Sequence, residues 1–196
     1  MEQIILASQS PRRKQLLEWA EIPFEMIVVS TAETFPEGLE VEEIPIYIAR
    51  QKALAVKNKL FASQESIIES RTILAADTVV VLGDRIIGKP LNREDAIAIL
   101  TSLSGKTHRV ITGVVILKGG EEVAFSDITS VDFHFLTLAQ IEFYVDKYQP
   151  YDKAGAYAIQ EWIGVVGIKS VKGDFYNVMG LPVSRVVKTL SEKGYL

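Results

Sequence analysis

The segment ILAADTVVV, residues 73–81, lies in the most apolar window of this chain. Apart from its polar centre it reads as a fully buried β-strand, because a short continuous apolar run is typical of a sheet interior. A buried carboxylate without a partner is energetically costly, so Asp77 must meet a cation, several hydrogen-bond donors or a metal. Two interpretations stay open: a structural ion pair with a core arginine, or a metal ligand or base acting on water.

Helical and extended patterns alternate on both sides of this strand. Further strands are predicted at residues 4–7, 25–29, 85–87, 110–117, 122–135 and, for the most part, 163–171. Helices are predicted at residues 11–20, 45–61, 95–103, 138–147 and 183–193. No repeat, low-complexity tract or long linker divides the chain. The pattern predicts a single α/β domain, residues 1–196, with a mixed, twisted sheet flanked by helices rather than a doubly wound one.

Composition excludes several classes of protein. Hydrophobic residues make up 48% of the 196 residues, which is enough for a sizeable core, and there is no cysteine for a disulfide, a thiol nucleophile or a zinc site. The N-terminus lacks the features of a signal peptide, and no apolar run approaches the ~20 residues of a membrane helix, so we expect a cytoplasmic protein with no membrane partner. A net charge of −4 without a basic run argues against binding to nucleic acid.

The first motif with chemical meaning is SQSPRR, residues 8–13. Ser10 is a natural N-cap, and Pro11 suits the first helical position. Arginines at positions 12 and 13 are unfavourable beside the positive end of a bare helix, but an anion lodged there would reverse the sign of the effect. A solvated helix start with two surface arginines is the alternative, and the sequence does not decide between them.

Lys52 lies within an apolar helical stripe. The other members of the stripe are Ile48, Ala49, Ala53, Val56 and Leu60. A lysine in such a stripe either extends its ammonium to water or meets an anion; the other lysines of this helix lie off the stripe, which favours a functional role. Glu33 and Asp77 together would offer the oxygen ligands that Mg²⁺ or Mn²⁺ prefers.

Two loops and three weaker patterns complete the candidates. Lys89 follows a short strand on a loop that a proline stiffens. Residues 152–160 form a loop rich in small residues that ends in Gln160, whose amide offers the donor and acceptor needed to recognise the edge of a nucleobase. A tight packing turn explains the second loop equally well. Residues 104–107 (SGKT) are rejected as a P-loop, because a strand follows them. His108 and His134 lack metal-ligand spacing and are interpreted as structural, with His108 the better placed to line a cleft.

Taken in order, these segments resemble the Maf family of nucleotide pyrophosphatases. The matching stretches are residues 6–13, Glu33, residues 49–53, 75–80, 88–90 and 103–105 with His108, then residues 112–114, 152–160 and 177–182. They span nearly the whole chain in the family's order and spacing. Two positions depart from the family pattern: Ala32 replaces a commonly acidic residue, and Glu161 replaces a usual glycine directly after Gln160.

The resemblance implies an elongated fold of two lobes with a central cleft, similar to the inosine triphosphate pyrophosphatases and often assembled as a homodimer. It implies hydrolysis of a nucleoside triphosphate to a monophosphate and pyrophosphate with a divalent cation, Mg, Mn or Co. Asp77 matches the proton acceptor, and Arg12, Thr78 and Gln160 match positions that go with substrate choice. The form DKAGAYAIQ of residues 152–160 is similar to the branch acting on dTTP and UTP.

The resulting hypothesis assigns catalysis to Asp77 and metal binding to Glu33 with Asp77. The predicted substrate-binding residues are Ser8, Arg12, Arg13, Lys52, Thr78, Lys89 and Gln160. Two alternatives remain at this point. One is a non-catalytic nucleotide-binding regulator of cell division, and the other is a pyrophosphatase of the 7-methyl-GTP branch.

Overall fold

A computed structural model of the chain describes residues 3–62 and 71–196. The strands are β1 (Ile4–Leu6), β2 (Phe24–Met26), β3 (Ile73–Leu82), β4 (Arg85–Ile87), β5 (Thr107–Lys118), β6 (Glu121–Phe133) and β7 (Ile168–Lys172). The helices are α1 (Pro11–Trp19), α2 (Ile44–Ala62), α3 (Arg93–Leu103), α4 (Leu138–Tyr148), α5 (Trp162–Gly167), α6 (Phe175–Met179) and α7 (Val183–Glu192). Among these described helices, none combines the length and apolar character needed to span a membrane.

The strands form one mixed sheet. Its order is β2-β1-β3-β5-β6-β7, with β4 paired to β3. Strand β1 runs parallel to β2 and to β3, whereas β4 is antiparallel to β3 and β7 is antiparallel to β6. The predicted α/β fold with a mixed sheet is therefore confirmed.

The chain forms two compact units. The first comprises Met1–Asp77, Thr112–Asp127 and Gly180–Leu196, and the second comprises Thr78–Ile111 and Ile128–Met179. In the first unit, helix α2 covers one face of β1, β3 and β5. The apolar core between them contains Ile5, Ala7, Ala49, Ala53, Val56, Leu60, Ile73, Ala75, Val115 and Leu117.

Small side chains let helix α2 approach the sheet closely. Ala49, Ala53 and Ala75 are fully buried at this contact. Gly113 on β5 lies against the first turn of α2, where a Cβ atom would fall 2.2 Å from the backbone nitrogen of Ile46. Any larger residue at position 113 would push the helix away, since cores packed at crystal density cannot absorb such an overlap.

One predicted element is wrong. Residues 163–171 were expected to be mostly strand, but α5 occupies Trp162–Gly167 and only Ile168–Lys172 are extended. The helix starts because the backbone N–H groups of Gly164 and Val165 both donate to the carbonyl oxygen of Glu161. This stretch is too apolar for its period to separate a buried strand from a short helix. Helix α6 and the 3₁₀ turn at Ala154–Ala156 were not predicted as helical.

Candidate active site

The position of Asp77 follows from the alternation of β3. Successive side chains of a strand face opposite sides, so Asp77 continues the face formed by Ile73 and Ala75. That face is the one that helix α2 covers. Lys52 lies on α2 in the same stripe as Ala49 and Ala53, as the helical period predicts. The strand and the helix therefore bring a carboxylate and an ammonium group to one place within the first unit.

Lys52 bridges two carboxylates. Its Nζ atom donates to Asp77 Oδ1 at 2.7 Å and to Glu33 Oε1 at 2.9 Å. The side chains of Lys52 and Asp77 are only 16% and 11% exposed, whereas Glu33 is 47% exposed on the loop before α2. Asp77 thus meets a cation, as its buried position requires, but the cation is a lysine rather than the arginine of the structural interpretation.

The cluster of Lys52, Glu33 and Asp77 contains more negative than positive charge. Two carboxylates share one ammonium, so the group of three carries a net negative charge when all are ionised. Charge-assisted hydrogen bonds in a partly dehydrated site are stronger than exposed ion pairs. The two bonds from Lys52 therefore hold both carboxylates in position with one ammonium.

Arg13 and Ser8 form a second group in the same unit. Arg13 is buried, and its Nε donates to the carbonyl oxygen of Gly180 at 2.7 Å while its Nη1 donates to Ser8 Oγ at 3.2 Å. Burial lowers the pKa of Arg13, and the negative charges of Asp77 and Glu33 oppose that shift. The guanidinium therefore lies within electrostatic range of the Lys52 cluster.

The start of helix α1 has the predicted geometry. Ser10 is the N-cap, its hydroxyl accepts from the backbone N–H of Arg13 at 3.5 Å, and Pro11 takes the first helical position. Arg12 is half-buried beside it. Because Gly180 and Ser8 engage the Arg13 side chain, the arginine is not a simple surface residue, and the solvated-helix interpretation does not describe it.

The other predicted substrate residues lie in the second unit. Thr78 is half-buried on β3, and Lys89 is exposed after β4. Gln160 is exposed at the end of a loop whose residues 155–159 are buried. Within the first unit the structure brings Ser8 to Arg13, and Lys52 to Glu33 and Asp77. The roles of all the predicted site residues stay predictions.

The donor set at Glu33 and Asp77 fits a hard divalent cation. Both residues supply carboxylate oxygens, and one oxygen of each already reaches a single positive centre. Across residues 3–62 and 71–196, no group of three or more His, Cys, Asp or Glu side chains has the arrangement of a metal site. A pair of carboxylates completed by waters and phosphate oxygens is how proteins usually bind Mg²⁺, so metal binding here would depend on the substrate.

His108 is a buried structural residue rather than a metal ligand. Its Nε2 lies 2.7 Å from the Tyr157 hydroxyl, and the rings of both residues pack edge-to-face with Phe133. Only 1% of His108 is exposed. Burial lowers its pKa to about 4, against a smaller opposing effect of Asp132. His108 therefore stays neutral at pH 7 and anchors Tyr157 at the start of the segment that leads to Gln160.

This burial predicts an acid-sensitive stability. The unfolded chain binds a proton at His108 near pH 6.5, whereas the folded chain does so only near pH 4. The contribution of neutral His108 to the free energy of unfolding is therefore fully present above pH 6.5 and is lost as the pH falls towards 4. We expect the wild-type protein to lose about 2 kcal/mol more than His108→Gln between pH 7 and pH 5. Urea unfolding at both pH values measures the difference. The exposed His134→Gln serves as control, and equal losses in wild type and His108→Gln would contradict the prediction.

Sequence reasoning missed the partners of two site residues. Gly180, which receives the Arg13 guanidinium, belongs to a matched motif but gave no sign of this contact. Tyr144, which bonds to the segment around Gln160, was not among the candidate residues. Neither pairing has a sequence signal, because each joins residues that lie in different elements or loops and meet only through packing.

Comparison with known proteins covers nearly the full length of the chain. The dTTP/UTP pyrophosphatase of Porphyromonas gingivalis strain W83 is 46% identical over 192 residues, which is 97% of this chain and 94% of that protein. The protein of the same name from Cytophaga hutchinsonii is 48% identical over 189 residues, or 96% of this chain and 83% of that protein. Parabacteroides distasonis has another at 46% identity, covering 95% of this chain and 94% of its own.

A solved structure and a family model complete the comparison. The Staphylococcus aureus Ham1 protein aligns over 67% of this chain and 72% of its own, with a TM-score of 0.41 and 15% identity. The family model described as Maf-like protein matches residues 3–193. With this match and relatives above 40% identity, the chain belongs to the Maf family.

Proposed function

We propose that this chain is a nucleoside triphosphate pyrophosphatase that hydrolyses dTTP and UTP to the monophosphate and pyrophosphate. Family membership and the names of its relatives support this activity and these substrates. The observation that carries the proposal is the cluster in which the Lys52 ammonium binds Glu33 and Asp77 at 2.9 and 2.7 Å. It combines the three groups that phosphate hydrolysis needs: a cation, a carboxylate base and a pair of oxygen ligands.

The cations of the first unit bind the triphosphate. Arg12 and Lys52 neutralise phosphate oxygens, and they offset the charge that develops on the leaving pyrophosphate. Arg13 lies buried between Ser8 and Gly180, so it acts chiefly by fixing the start of α1, next to Arg12. These contacts hold the α phosphorus against the Asp77 carboxylate.

Glu33 and Asp77 would hold the divalent cation. When bound, the cation would supply Lewis acidity towards phosphate oxygens and towards water. Asp77 orients the attacking water and accepts its proton. The water oxygen forms a bond to the α phosphorus, the bond from that phosphorus to the bridging oxygen breaks, and pyrophosphate leaves with the bridging oxygen.

Base selection is assigned to Gln160 in this proposal. The amide of Gln160 offers a donor and an acceptor, which match the N–H and carbonyl groups on the edge of uracil or thymine. Thr78 and Lys89 complete the contacts to the substrate. A cytoplasmic location, Mg, Mn or Co as the cation, and a homodimer are further predictions of this proposal.

A substrate panel tests the proposal directly. The purified protein is incubated with Mg²⁺ or Mn²⁺ and each of dTTP, UTP, CTP, ATP, GTP and 7-methyl-GTP, and pyrophosphate and the monophosphate are quantified. We expect equal amounts of the two products, with kcat/KM highest for dTTP and UTP.

The alternative functions would give different results in the same substrate panel. Nucleotide binding without product would identify a non-catalytic regulator. Preferential turnover of 7-methyl-GTP would place the chain in the other branch, and release of inorganic phosphate would overturn the assignment of the cleaved bond.

A further inference from the structure

Gln160 lies in a turn whose neighbours are unusually constrained. The side chain of Gln160 is exposed, but Ala158 and Ile159 before it are each only 4% exposed. The backbone N–H of Glu161 donates to the carbonyl oxygen of Ala158 at 3.1 Å and closes the turn. The exposed side-chain amide of Gln160 is therefore attached to a backbone whose neighbouring residues are held in place.

The hydroxyl of Tyr144 holds both ends of this turn. Tyr144 lies on α4 and is completely buried. Its hydroxyl accepts a hydrogen bond from the backbone N–H of Ala158 at 3.1 Å and donates one to Glu161 Oε2. One oxygen atom thus connects the residue two positions before Gln160 with the residue directly after it.

Two further contacts complete the constraint. Lys153 Nζ lies 3.7 Å from Glu161 Oε1 and also bonds to Asp152, so Glu161 is held from two directions. At Gly164, a Cβ atom would fall 1.7 Å from the carbonyl oxygen of Ile159. Helix α5 therefore presses directly against the backbone beside Gln160, and only glycine permits that approach.

We propose that Tyr144 and Glu161 are positioning residues that fix the direction of Gln160 and thereby set base selectivity. The inference rests on the proposed function, in which Gln160 reads the pyrimidine edge. An amide on a mobile turn would lose conformational entropy on binding, whereas a turn fixed in advance avoids that cost.

Three variants test the inference by kinetics with UTP and with CTP, which differs at the edge that Gln160 would read. Tyr144→Phe removes the hydroxyl and keeps the ring. We expect KM for UTP to rise about 3- to 10-fold, the effect of one hydrogen bond, with kcat within about twofold and with a matching fall in the preference for UTP over CTP. Glu161→Gln still offers an oxygen to the Tyr144 hydroxyl and should change KM less.

Tyr148→Phe is the matched control. Its ring stacks on Tyr144 at 5.0 Å from the same helix, but its hydroxyl takes no part in the bonds to the turn described above. We expect wild-type KM and selectivity for this variant. A rise equal to that of Tyr144→Phe would show a general effect of the helix and overturn the assignment to Tyr144.

Hydrogen exchange of residues 157–163 measures the turn independently of activity. Tyr144→Phe should exchange faster there than wild type or Tyr148→Phe, with unchanged exchange in α3. Unchanged KM and selectivity in an active Tyr144→Phe protein would overturn the positioning role, whatever the exchange result. Absence of dTTP and UTP hydrolysis by the wild-type protein, together with faster exchange in the variant, would instead overturn the proposed function and leave the fixed turn standing.

Discussion

Asp77→Asn should lower kcat for dTTP and UTP about 10²-fold or more while KM changes little. The amide keeps the size of the carboxylate, and its oxygen can still accept a hydrogen bond from Lys52, so substrate binding should survive when Mg²⁺ is saturating, which compensates for the weaker metal ligand. It cannot take a proton from water, and the loss of a positioned base costs a factor of this size. Such a pattern identifies a group that acts mainly in the transition state.

The measurement is steady-state release of pyrophosphate, with thermal unfolding as a check that the variant folds. Asp127→Asn is a suitable control, because Asp127 belongs to the same unit and its carboxylate lies 3.8 Å from Arg185 rather than in the Lys52 cluster. We expect wild-type turnover from that control. Near-normal kcat in a folded Asp77→Asn protein would rule out Asp77 as the base.

Lys52→Met should weaken nucleotide binding about 10- to 100-fold, the usual worth of a charge-assisted hydrogen bond to an anion. The same substitution should lower the free energy of unfolding by about 1–3 kcal/mol, less than for a fully buried pair, because Asp77 would lose the cation that compensates its burial. Both effects have one cause, since the same ammonium binds the two carboxylates and, in the proposed mechanism, the phosphates.

Lys52→Met should also bind Mn²⁺ more tightly than wild type in the absence of nucleotide. The ammonium occupies the oxygens of Glu33 and Asp77 that the metal would use, so its removal ends the competition. Calorimetry with Mn²⁺ alone and with a non-hydrolysable UTP analogue separates the two affinities. The exposed Lys59→Met on the same helix should match wild type in both. Nucleotide affinity unchanged by Lys52→Met would remove the lysine from the proposed site.

Local sequence patterns determined most of the secondary structure and the identity of the candidate residues. The 3.6-residue period placed Lys52 on the buried side of its helix, and an apolar run placed Asp77 inside a strand. Ser10 and Pro11 marked the start of α1. These features are local, because they depend on residues within one or two turns of each other. Residues 163–167 were assigned to a strand for the same reason, since a short apolar run has no period that separates the two structures.

Only the tertiary structure decided which of these residues meet. The sequence required a partner for Asp77 but could not choose among a cation, several hydrogen-bond donors and a metal, and packing of α2 on β3 brought Lys52 to it. The bond of Arg13 to Gly180 spans 167 residues, and that of Tyr144 to Glu161 joins α4 to the turn before α5. Such contacts depend on how the elements pack, and no local pattern encodes that packing, so the chemistry could be named from the sequence while its geometry required the fold.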